Sequence, residues 1–121
     1  MTAQHRLLAI EQHAERQTAL ATRAQERLDT YRRQIAIASD TRRVVTYLFA
    51  CIRDEAPLVT YRAMCRLFIR HGHMPTVNQL AVECKVTRKV TETRINYLVD
   101  LDVIERTPDG LLFAEIEKVR G

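Results

Sequence analysis

The sequence predicts a mainly α-helical protein with a small β-hairpin, and three observations support this fold class. Residues 2–38 contain neither glycine nor proline and are rich in strong helix-forming residues. After residue 40, apolar residues recur in several segments at the three- and four-residue spacing of amphipathic helices. Near the C-terminus, Asp109-Gly110 separates two runs of β-prone residues, a pattern typical of a tight hairpin. We therefore expect one long helix, several shorter helices and a terminal hairpin.

The first predicted domain, residues 1–38, repeats apolar and small residues with the seven-residue period of a coiled coil. A helix with such a stripe cannot bury it alone. We expect it to pair with a second copy of the chain; packing elsewhere on its own chain is the alternative. The many alanines make the stripe narrow, so the expected affinity is modest. The residues expected at the homodimer interface are Leu7, Ile10, Ala14, Ala21, Ala24, Leu28, Tyr31 and Ile35.

Residues 39–56 are predicted to form a connecting helix. Ser39-Asp40 interrupts the heptad pattern and supplies an N-cap. Pro57 is expected to end the helix after Glu55, because proline is not tolerated in a helix interior. The apolar face of this helix is predicted to contain Val45, Leu48, Phe49 and Ile52.

The third predicted domain, residues 57–121, begins with a helix that Thr60 caps and that runs to about His71. Gly72 follows at the C′ position, where glycine readily adopts the left-handed conformation. The side chains predicted to face inward are Ala63, Met64, Leu67 and Phe68.

Two cap signals predict the next pair of helices. Thr76 and Gln79 have the spacing of a capping box, which indicates a short helix ending near Cys84. After a tight connection, Thr87 is the predicted N-cap of a helix that runs to about Leu101. The side chains predicted to face the core are Val77, Leu80 and Ala81 in the first helix, and Val90, Ile95, Leu98 and Leu101 in the second.

A hairpin completes this domain, with strands predicted over 103–106 and 111–115. Three helices followed by a hairpin give the element order of a winged helix-turn-helix domain. The segment from Thr76 to Arg106 also resembles the DNA-binding segment of MarR-like and GntR-like bacterial regulators. The residues that carry the resemblance are Leu80, Ala81, Val86, Thr87, Arg88, Leu98, Val103, Ile104 and Arg106.

The resemblance covers about sixty residues and implies a winged helix-turn-helix domain that binds double-stranded DNA. Thr91 and Arg94 depart from the pattern, because those families usually place apolar residues there. In such a domain the third helix enters the major groove with its N-terminal residues toward the bases. The residues expected to contact DNA are Lys85, Thr87, Arg88, Lys89, Glu92, Thr93, Asn96, Arg106 and Thr107.

Each of these residue types has a role in DNA recognition. Arg88 or Lys89 can donate to guanine, Asn96 can pair with adenine, and Glu92 can accept from cytosine N4. Residues before the third helix are expected near phosphate, helped by the helix N-terminus. Those in the hairpin are expected at the DNA backbone or in the minor groove.

The composition limits the other classes of function. The formal net charge of +4 is compatible with a nucleic-acid partner without being diagnostic. Residues 1–40 carry six arginines against five acids, and residues 41–121 carry thirteen Lys or Arg against ten acids. No apolar run approaches the roughly 20 residues of a membrane-spanning helix. No nucleophile motif, P-loop or acid–base pair is recognisable, so we expect no enzyme activity, no catalytic residue and no cofactor.

The three cysteines, Cys51, Cys65 and Cys84, have no CxxC spacing. This spacing argues against disulfides and against a zinc site, and it favours a location in the reducing cytoplasm. Redox sensing is a minor alternative. The His71 and His73 pair is expected to face solvent rather than to bind a metal.

The sequence therefore favours a cytoplasmic, homodimeric, sequence-specific DNA-binding protein. Its expected role is regulation of transcription, most simply as a repressor of bacterial, phage or plasmid type, and no small-molecule effector is indicated. One alternative is a plasmid replication or partition factor that binds DNA. The other is a winged helix that binds only proteins, which the near balance of charge and Glu92 favour.

Overall fold

The computed structural model describes residues 3–51 and 54–115, with side chains from residue 6 onward. This part of the chain is mainly α-helical and ends in a two-stranded antiparallel hairpin, which confirms the predicted fold class. The chain divides into two compact units, residues 1–33 and residues 34–121. The elements are α1 (Ala3–Ser39), α2 (Arg42–Cys51), α3 (Ala56–His71), α4 (Val77–Cys84), α5 (Arg88–Asp100), β1 (Ile104–Thr107) and β2 (Gly110–Phe113).

The first unit consists of α1 up to residue 33. Every described side chain from Arg6 to Asp29 is exposed. The large apolar side chains of the predicted dimer stripe are exposed as well, with Leu7 at 60%, Ile10 at 65% and Leu28 at 41%. The helix is therefore amphipathic in sequence, and its apolar stripe is uncovered in a single chain.

The last residues of α1 belong to the second unit. Gln34, Ile37 and Ala38 are buried there, and Ile35 is partly buried against the same core. Ile35 was predicted at the dimer interface, but much of its surface is covered within its own unit. The uncovered part of the stripe therefore ends before residue 34. The prediction included Ile35 because the pattern of small and apolar residues does not distinguish burial against a partner chain from burial against the helix's own domain.

In α2, the buried residues are Val44 and Leu48, which are one helical turn apart. The predicted face is rotated by about one residue, because Val45 is only partly buried and Phe49 is 63% exposed. Ile52, the fourth residue predicted on this face, lies outside the described residues.

Helix α3 begins earlier than the sequence predicted. It starts at Ala56, whose backbone N–H donates to the Asp54 carboxylate at 3.1 Å. Pro57 lies in the first turn, where its missing N–H costs no hydrogen bond. The predicted cap, Thr60, is inside the helix and donates its hydroxyl to the Ala56 carbonyl at 2.9 Å. The same proline that suggested a helix end therefore marks a helix beginning.

The inward face and the end of α3 agree with the prediction. Its four predicted core residues are buried, as are Tyr61 and Cys65. Gly72 adopts a left-handed conformation with a φ of 76°, and its N–H donates to the carbonyl of Phe68 at 2.8 Å. Glycine is favoured here because an L side chain at this φ is strained.

Both predicted N-caps of the next helices are confirmed. The Thr76 hydroxyl accepts from the Gln79 N–H, and the Gln79 side chain accepts from the Thr76 N–H, which completes the capping box. The Thr87 hydroxyl accepts from the Val90 N–H at 3.2 Å. These local bonds satisfy helix N–H groups that would otherwise have no partner in the helix.

The core face of α5 differs from the prediction at two adjacent positions. Ile95 and Leu98 are buried and Leu101 is partly buried, as predicted. Val90 is exposed, however, and Thr91 is buried in its place. The Thr91 hydroxyl donates to the Thr87 carbonyl at 2.9 Å. A polar residue can therefore occupy this core position, because its hydroxyl is hydrogen-bonded within the helix.

The hairpin packs on α3 through Phe113. In the antiparallel pairing, Ile104 lies opposite Phe113 and Thr107 lies opposite Gly110. The Phe113 ring makes edge-to-face contacts with Tyr61 and Phe68, at centroid distances of 5.8 and 5.4 Å. These aromatic contacts fix the position of the strands relative to the helices.

Within residues 3–51 and 54–115, no helix is both long and apolar enough to cross a membrane.

Candidate nucleic-acid interface

The outward face of α5 lies opposite its buried residues. Lys89, Thr93 and Asn96 are all exposed on this face. Their spacing of three and four residues places them along one side of the helix. The Thr93 hydroxyl donates to the Lys89 carbonyl at 3.1 Å, so its hydrogen is used within the helix while its oxygen remains exposed. This face presents one cation, one hydroxyl and one carboxamide to solvent.

Arg88 and Glu92 form an ion pair at the edge of this face. The Arg88 Nε donates to the Glu92 Oε1 at 3.1 Å across one helical turn. The side chains are 66% and 49% exposed, so the pair contributes little to stability. It does neutralise both charges locally. Arg88 must therefore leave Glu92 before it can make a bidentate contact with a base.

The turn before α5 combines a cation with a helix N-terminus. Lys85 is exposed and adopts a left-handed conformation with a φ of 57°, which ends α4. Thr87 follows it as the N-cap and is also exposed. The N-terminal N–H groups of a helix and a nearby cation together favour an anion such as a phosphate.

The hairpin meets α5 through a contact between Arg106 and Asn96. The Arg106 guanidinium donates to the Asn96 Oδ1, and both side chains are exposed. Thr107 is half-buried, and its hydroxyl donates to the Gly110 carbonyl at 3.1 Å within the turn. Thr107 therefore contributes mainly to the turn. The acceptor atom of Asn96 is occupied by Arg106, whereas its amide nitrogen remains a donor.

A cleft between α5 and the hairpin brings together four of the residues predicted from the sequence. These are Glu92, Asn96, Arg106 and Thr107. The remaining lining residues come from the N-terminus of α4, from the buried side of α5 and from the hairpin; they are Val77, Ile95, Pro108, Gly110 and Leu111.

A second groove follows the other flank of α5, and the sequence did not predict it. Lys89 and Thr93 line it together with Val90, Arg94 and Tyr97 of the same helix. Its opposite wall contains Cys51, Asp54, Ala56 and Pro57. Val90 and Tyr97 are seven residues apart on one side of α5, so their spacing could have indicated this apolar strip. The prediction missed it because Val90 was assigned to the core.

The charge of the region around α5 is nearly balanced. Residues 54–115 contain eight Lys or Arg and nine Asp or Glu. Among the described residues, the ion pairs are Arg66–Glu83, at 3.6 Å, and Arg88–Glu92. Any affinity for an anionic polymer must therefore come from the local arrangement of cations on α5 and the hairpin, rather than from the net charge of the unit.

The cysteines differ in their surroundings. Cys51 is exposed, Cys84 is half-buried and Cys65 is buried. Burial raises the pKa of the Cys65 thiol to about 12. Burial also raises the pKa of Cys84, although the nearby Arg94 and Arg66 oppose this shift. A raised pKa disfavours the reactive thiolate. Among residues 6–51 and 54–115, no group of three His, Cys, Asp or Glu could hold a metal ion.

No protein-family model, curated protein or solved structure matches this chain. The candidate interface is therefore defined by the geometry of α5 and the hairpin alone.

Proposed function

We propose that this protein binds double-stranded DNA through residues 57–115, in the manner of a winged helix-turn-helix domain, and regulates transcription as a homodimer. The observation that carries this proposal is the outward face of α5, where Lys89, Thr93 and Asn96 are exposed beside the hairpin. The element order, with α4 and α5 joined by a short turn and followed by a hairpin, supports the same interpretation.

The dimensions of DNA support insertion of α5 into the major groove. An α-helix with its side chains is about 10–12 Å across, and the major groove is about 12 Å wide. Lys89 would then donate to guanine, and the amide of Asn96 would donate to a base acceptor. Lys85 and Thr87 would contact the phosphate backbone at the N-terminus of α5, and Arg106 would contact the backbone beside the hairpin.

Dimerisation would supply two such domains to one DNA site. The apolar stripe of α1 is exposed in the single chain, and a second copy would cover it. Two half-sites raise both affinity and specificity above those of one domain. A repressor that blocks a promoter is the simplest role for such a dimer.

Fluorescence anisotropy on mixed-sequence duplex DNA, at low and at physiological salt, tests the proposal. The test variant is Arg88→Ala/Lys89→Ala, which removes two cations from α5. The matched control is Arg62→Ala/Arg70→Ala, which removes two exposed arginines from α3. We expect the wild type and the control to bind similarly, and the test variant to bind more weakly at both salt concentrations, by about 1–3 kcal/mol for each lost base contact.

The possible results separate three interpretations. Loss of binding in the α5 variant alone supports the proposed interface. Equal loss in both variants would mean that binding follows total charge and that α5 is not the contact. The absence of binding by the wild type at low salt would overturn the DNA-binding proposal.

A second candidate function is a protein-interaction module of the same fold. Two observations favour it: the nearly balanced charge of residues 54–115, and the exposure of Val90 and Tyr97 in the groove beside α5. Under this alternative the wild type would not bind DNA, so Lys89→Ala would have no DNA binding to lose. Tyr97→Ala would instead weaken capture of a protein partner.

A further inference from the structure

The charged residues of α1 are separated into two flanks beside the apolar stripe. With Leu7 at heptad position a, basic side chains occupy the flank of positions g and c, and acidic side chains occupy the flank of positions e and b. The basic residues are Arg6, Arg16, Arg23 and Arg27; the acidic residues are Glu11, Glu15 and Asp29. All seven side chains are exposed.

None of these seven side chains forms an ion pair with another described residue of α1. The ion pairs among the described residues both lie in the second unit, between α3 and α4 and within α5. In addition, Glu11 and Glu15 are one turn apart, as are Arg23 and Arg27. Like charges at this spacing repel each other. An isolated α1 therefore has one mainly cationic flank and one mainly anionic flank, and opposite charges at one-turn spacing occur only toward its end, where Glu26 follows Arg23 and Arg33 follows Asp29.

We propose that α1 pairs with a second copy of itself as a parallel, in-register coiled coil. In a parallel pair, position g of one helix faces position e of the other, so the mainly basic flank of one helix lies on the same side as the mainly acidic flank of the other. Only positions g and e meet directly; the charges at positions c and b add a longer-range attraction between the flanks. Arg6 would face Glu11 of the second copy. An antiparallel pair would place the basic flanks together and the acidic flanks together. Arg32, at position e, is the exception, because it would lie near Arg27 of the second copy.

Gln17 supports the same arrangement independently of the charges. It occupies a d position within a stripe that is otherwise apolar or small, between Ile10 and Ala24. In a parallel, in-register pair the two copies of Gln17 lie opposite each other, and their carboxamides can donate and accept in turn. A single polar residue in the seam fixes register in this way, since any shift places the carboxamide against an apolar side chain.

This orientation deepens the proposed function and rests on it. In a parallel coil the two copies of the first unit end at the same end of the coil, near residue 33 of each α1. The two copies of the second unit then begin beside each other. Such a dimer suits two closely spaced half-sites on DNA, whereas an antiparallel dimer would start the two units at opposite ends of the coil.

Disulfide cross-linking of single-cysteine variants tests the orientation. The background carries Cys51→Ser, Cys65→Ala and Cys84→Ser, and each test protein adds either Leu7→Cys or Leu28→Cys. These two positions are separated by about 32 Å at 1.5 Å per residue. In a parallel coil, mild oxidation with diamide cross-links each variant with itself. In any antiparallel register, at most one of the two positions can lie opposite its own copy.

The outcomes distinguish orientation from dimerisation. Self-cross-linking of both variants supports the parallel coil. Cross-linking only in a mixture of Leu7→Cys with Leu28→Cys would overturn the orientation while leaving the dimer intact. A monomeric mass without cross-links would overturn the dimer itself. DNA binding is measured separately by anisotropy. A protein that forms the parallel coil but does not bind DNA would therefore be distinguished from one in which the helices do not pair in this orientation.

A measurement on the wild-type chain avoids dependence on the cysteine-free background. A fluorophore attached to the N-terminal amine reports the distance between the two N-termini by homo-transfer. In a parallel dimer the labels lie close together, so emission is depolarised and recovers after dilution with unlabelled protein. In an antiparallel dimer they are separated by up to about 55 Å, the length of a 37-residue helix, and no such recovery occurs.

Discussion

The side chain of Gln34 in α1 forms two hydrogen bonds with the backbone of Phe113 in β2. Its Nε2 donates to the Phe113 carbonyl at 3.0 Å, and its Oε1 accepts from the Phe113 N–H at 2.7 Å. Gln34 is 6% exposed, so both bonds are shielded from water. The carboxamide pairs with the open edge of β2 as a neighbouring strand would. It thereby joins the end of α1 to the hairpin that borders the candidate DNA interface.

We expect Gln34→Ala to lower the free energy of unfolding by about 2–3 kcal/mol, because it leaves a buried N–H and a buried carbonyl without partners. Gln34→Glu should also destabilise near neutral pH, since an ionised carboxylate cannot donate to the Phe113 carbonyl. Urea unfolding followed by circular dichroism measures both. The control is Gln25→Ala in the exposed part of α1. Equal small effects for Gln34→Ala and Gln25→Ala would contradict this role for Gln34.

For Tyr61, in contrast to Gln34, we expect that removal of a buried polar group does not lower the stability of the protein. Its hydroxyl is buried and makes no hydrogen bond of ordinary geometry among the described residues; the Cys65 thiol, which is only a weak hydrogen-bonding group, interacts with it. Burying an unsatisfied hydroxyl is unfavourable. We therefore expect Tyr61→Phe to leave stability unchanged or to raise it by up to about 1 kcal/mol. Tyr97→Phe, at an exposed position, is the control. A loss above about 1 kcal/mol for Tyr61→Phe would mean that the hydroxyl is satisfied.

Lys85 occupies a backbone conformation that disfavours its own side chain. Its φ of 57° lies in the left-handed region, which costs a non-glycine residue about 1–2 kcal/mol. We expect Lys85→Gly to raise the thermal midpoint and Lys85→Ala to leave it unchanged or lower it. Both variants remove the same charge, so both should lose about one unit of salt slope in DNA binding. If Lys85→Gly were the less stable variant, the lysine side chain would have a stabilising contact at this turn.

The local cap signals were predictable because each depends on residues within a few positions. The capping box of Thr76 and Gln79, the Thr87 cap and the left-handed Gly72 all have a short-range cause that the sequence displays directly. Pro57 was ambiguous for an equally local reason. Proline is common both just after the end of a helix and in the first turn of a helix. The Asp54 carboxylate accepts from the first N–H of α3 and so favours the first-turn position of Pro57, but Asp54 is not part of a recognisable capping pattern in the sequence.

The features that the sequence did not predict depend on tertiary contacts. Gln34 and Phe113 are separated by 79 positions, and nothing in the heptad pattern distinguishes Gln34 from a solvent-exposed glutamine. The rotation of α5 that exposes Val90 and buries Thr91 depends on how the helix packs against α3 and the hairpin. Similarly, helical periodicity identified the outward face of α5, whereas the contact between Asn96 and Arg106 became apparent only with the hairpin in position.

Cys65 is expected to resist thiol reagents until the protein unfolds. With a pKa of about 12, only about one thiol in 10⁴ is ionised near pH 8. We expect iodoacetamide to modify Cys51 first and Cys84 next, with Cys65 modified only in denaturant, as measured by mass spectrometry. Because the folded-state pKa of Cys65 is raised, its contribution to stability is complete below its ordinary value of 9.0. That contribution is lost as the pH rises toward 12. Cys65→Ala should therefore reduce the loss of stability between about pH 9 and 12.

The contact between Arg106 and Asn96 predicts a specific pattern in DNA binding. Arg106 supplies a charge and also occupies the Asn96 acceptor, so Arg106→Ala should weaken DNA binding and reduce its salt slope by about one unit. Arg106→Lys keeps the charge but lacks the planar guanidinium. It should retain the salt slope while losing discrimination between a selected site and random duplex.

A double-mutant cycle on the selected site separates these two roles. If Arg106 orients Asn96, removal of either residue removes part of the same interaction. Arg106→Ala/Asn96→Ala should then cost less than the sum of the single variants, with a coupling of about 0.5 kcal/mol or more. The control cycle pairs Arg106→Ala with Lys85→Ala, and these should be additive because the structure gives no contact between them. Additive costs for Arg106 and Asn96 would mean that the two side chains contact DNA independently and that the hairpin does not position the reading face of α5.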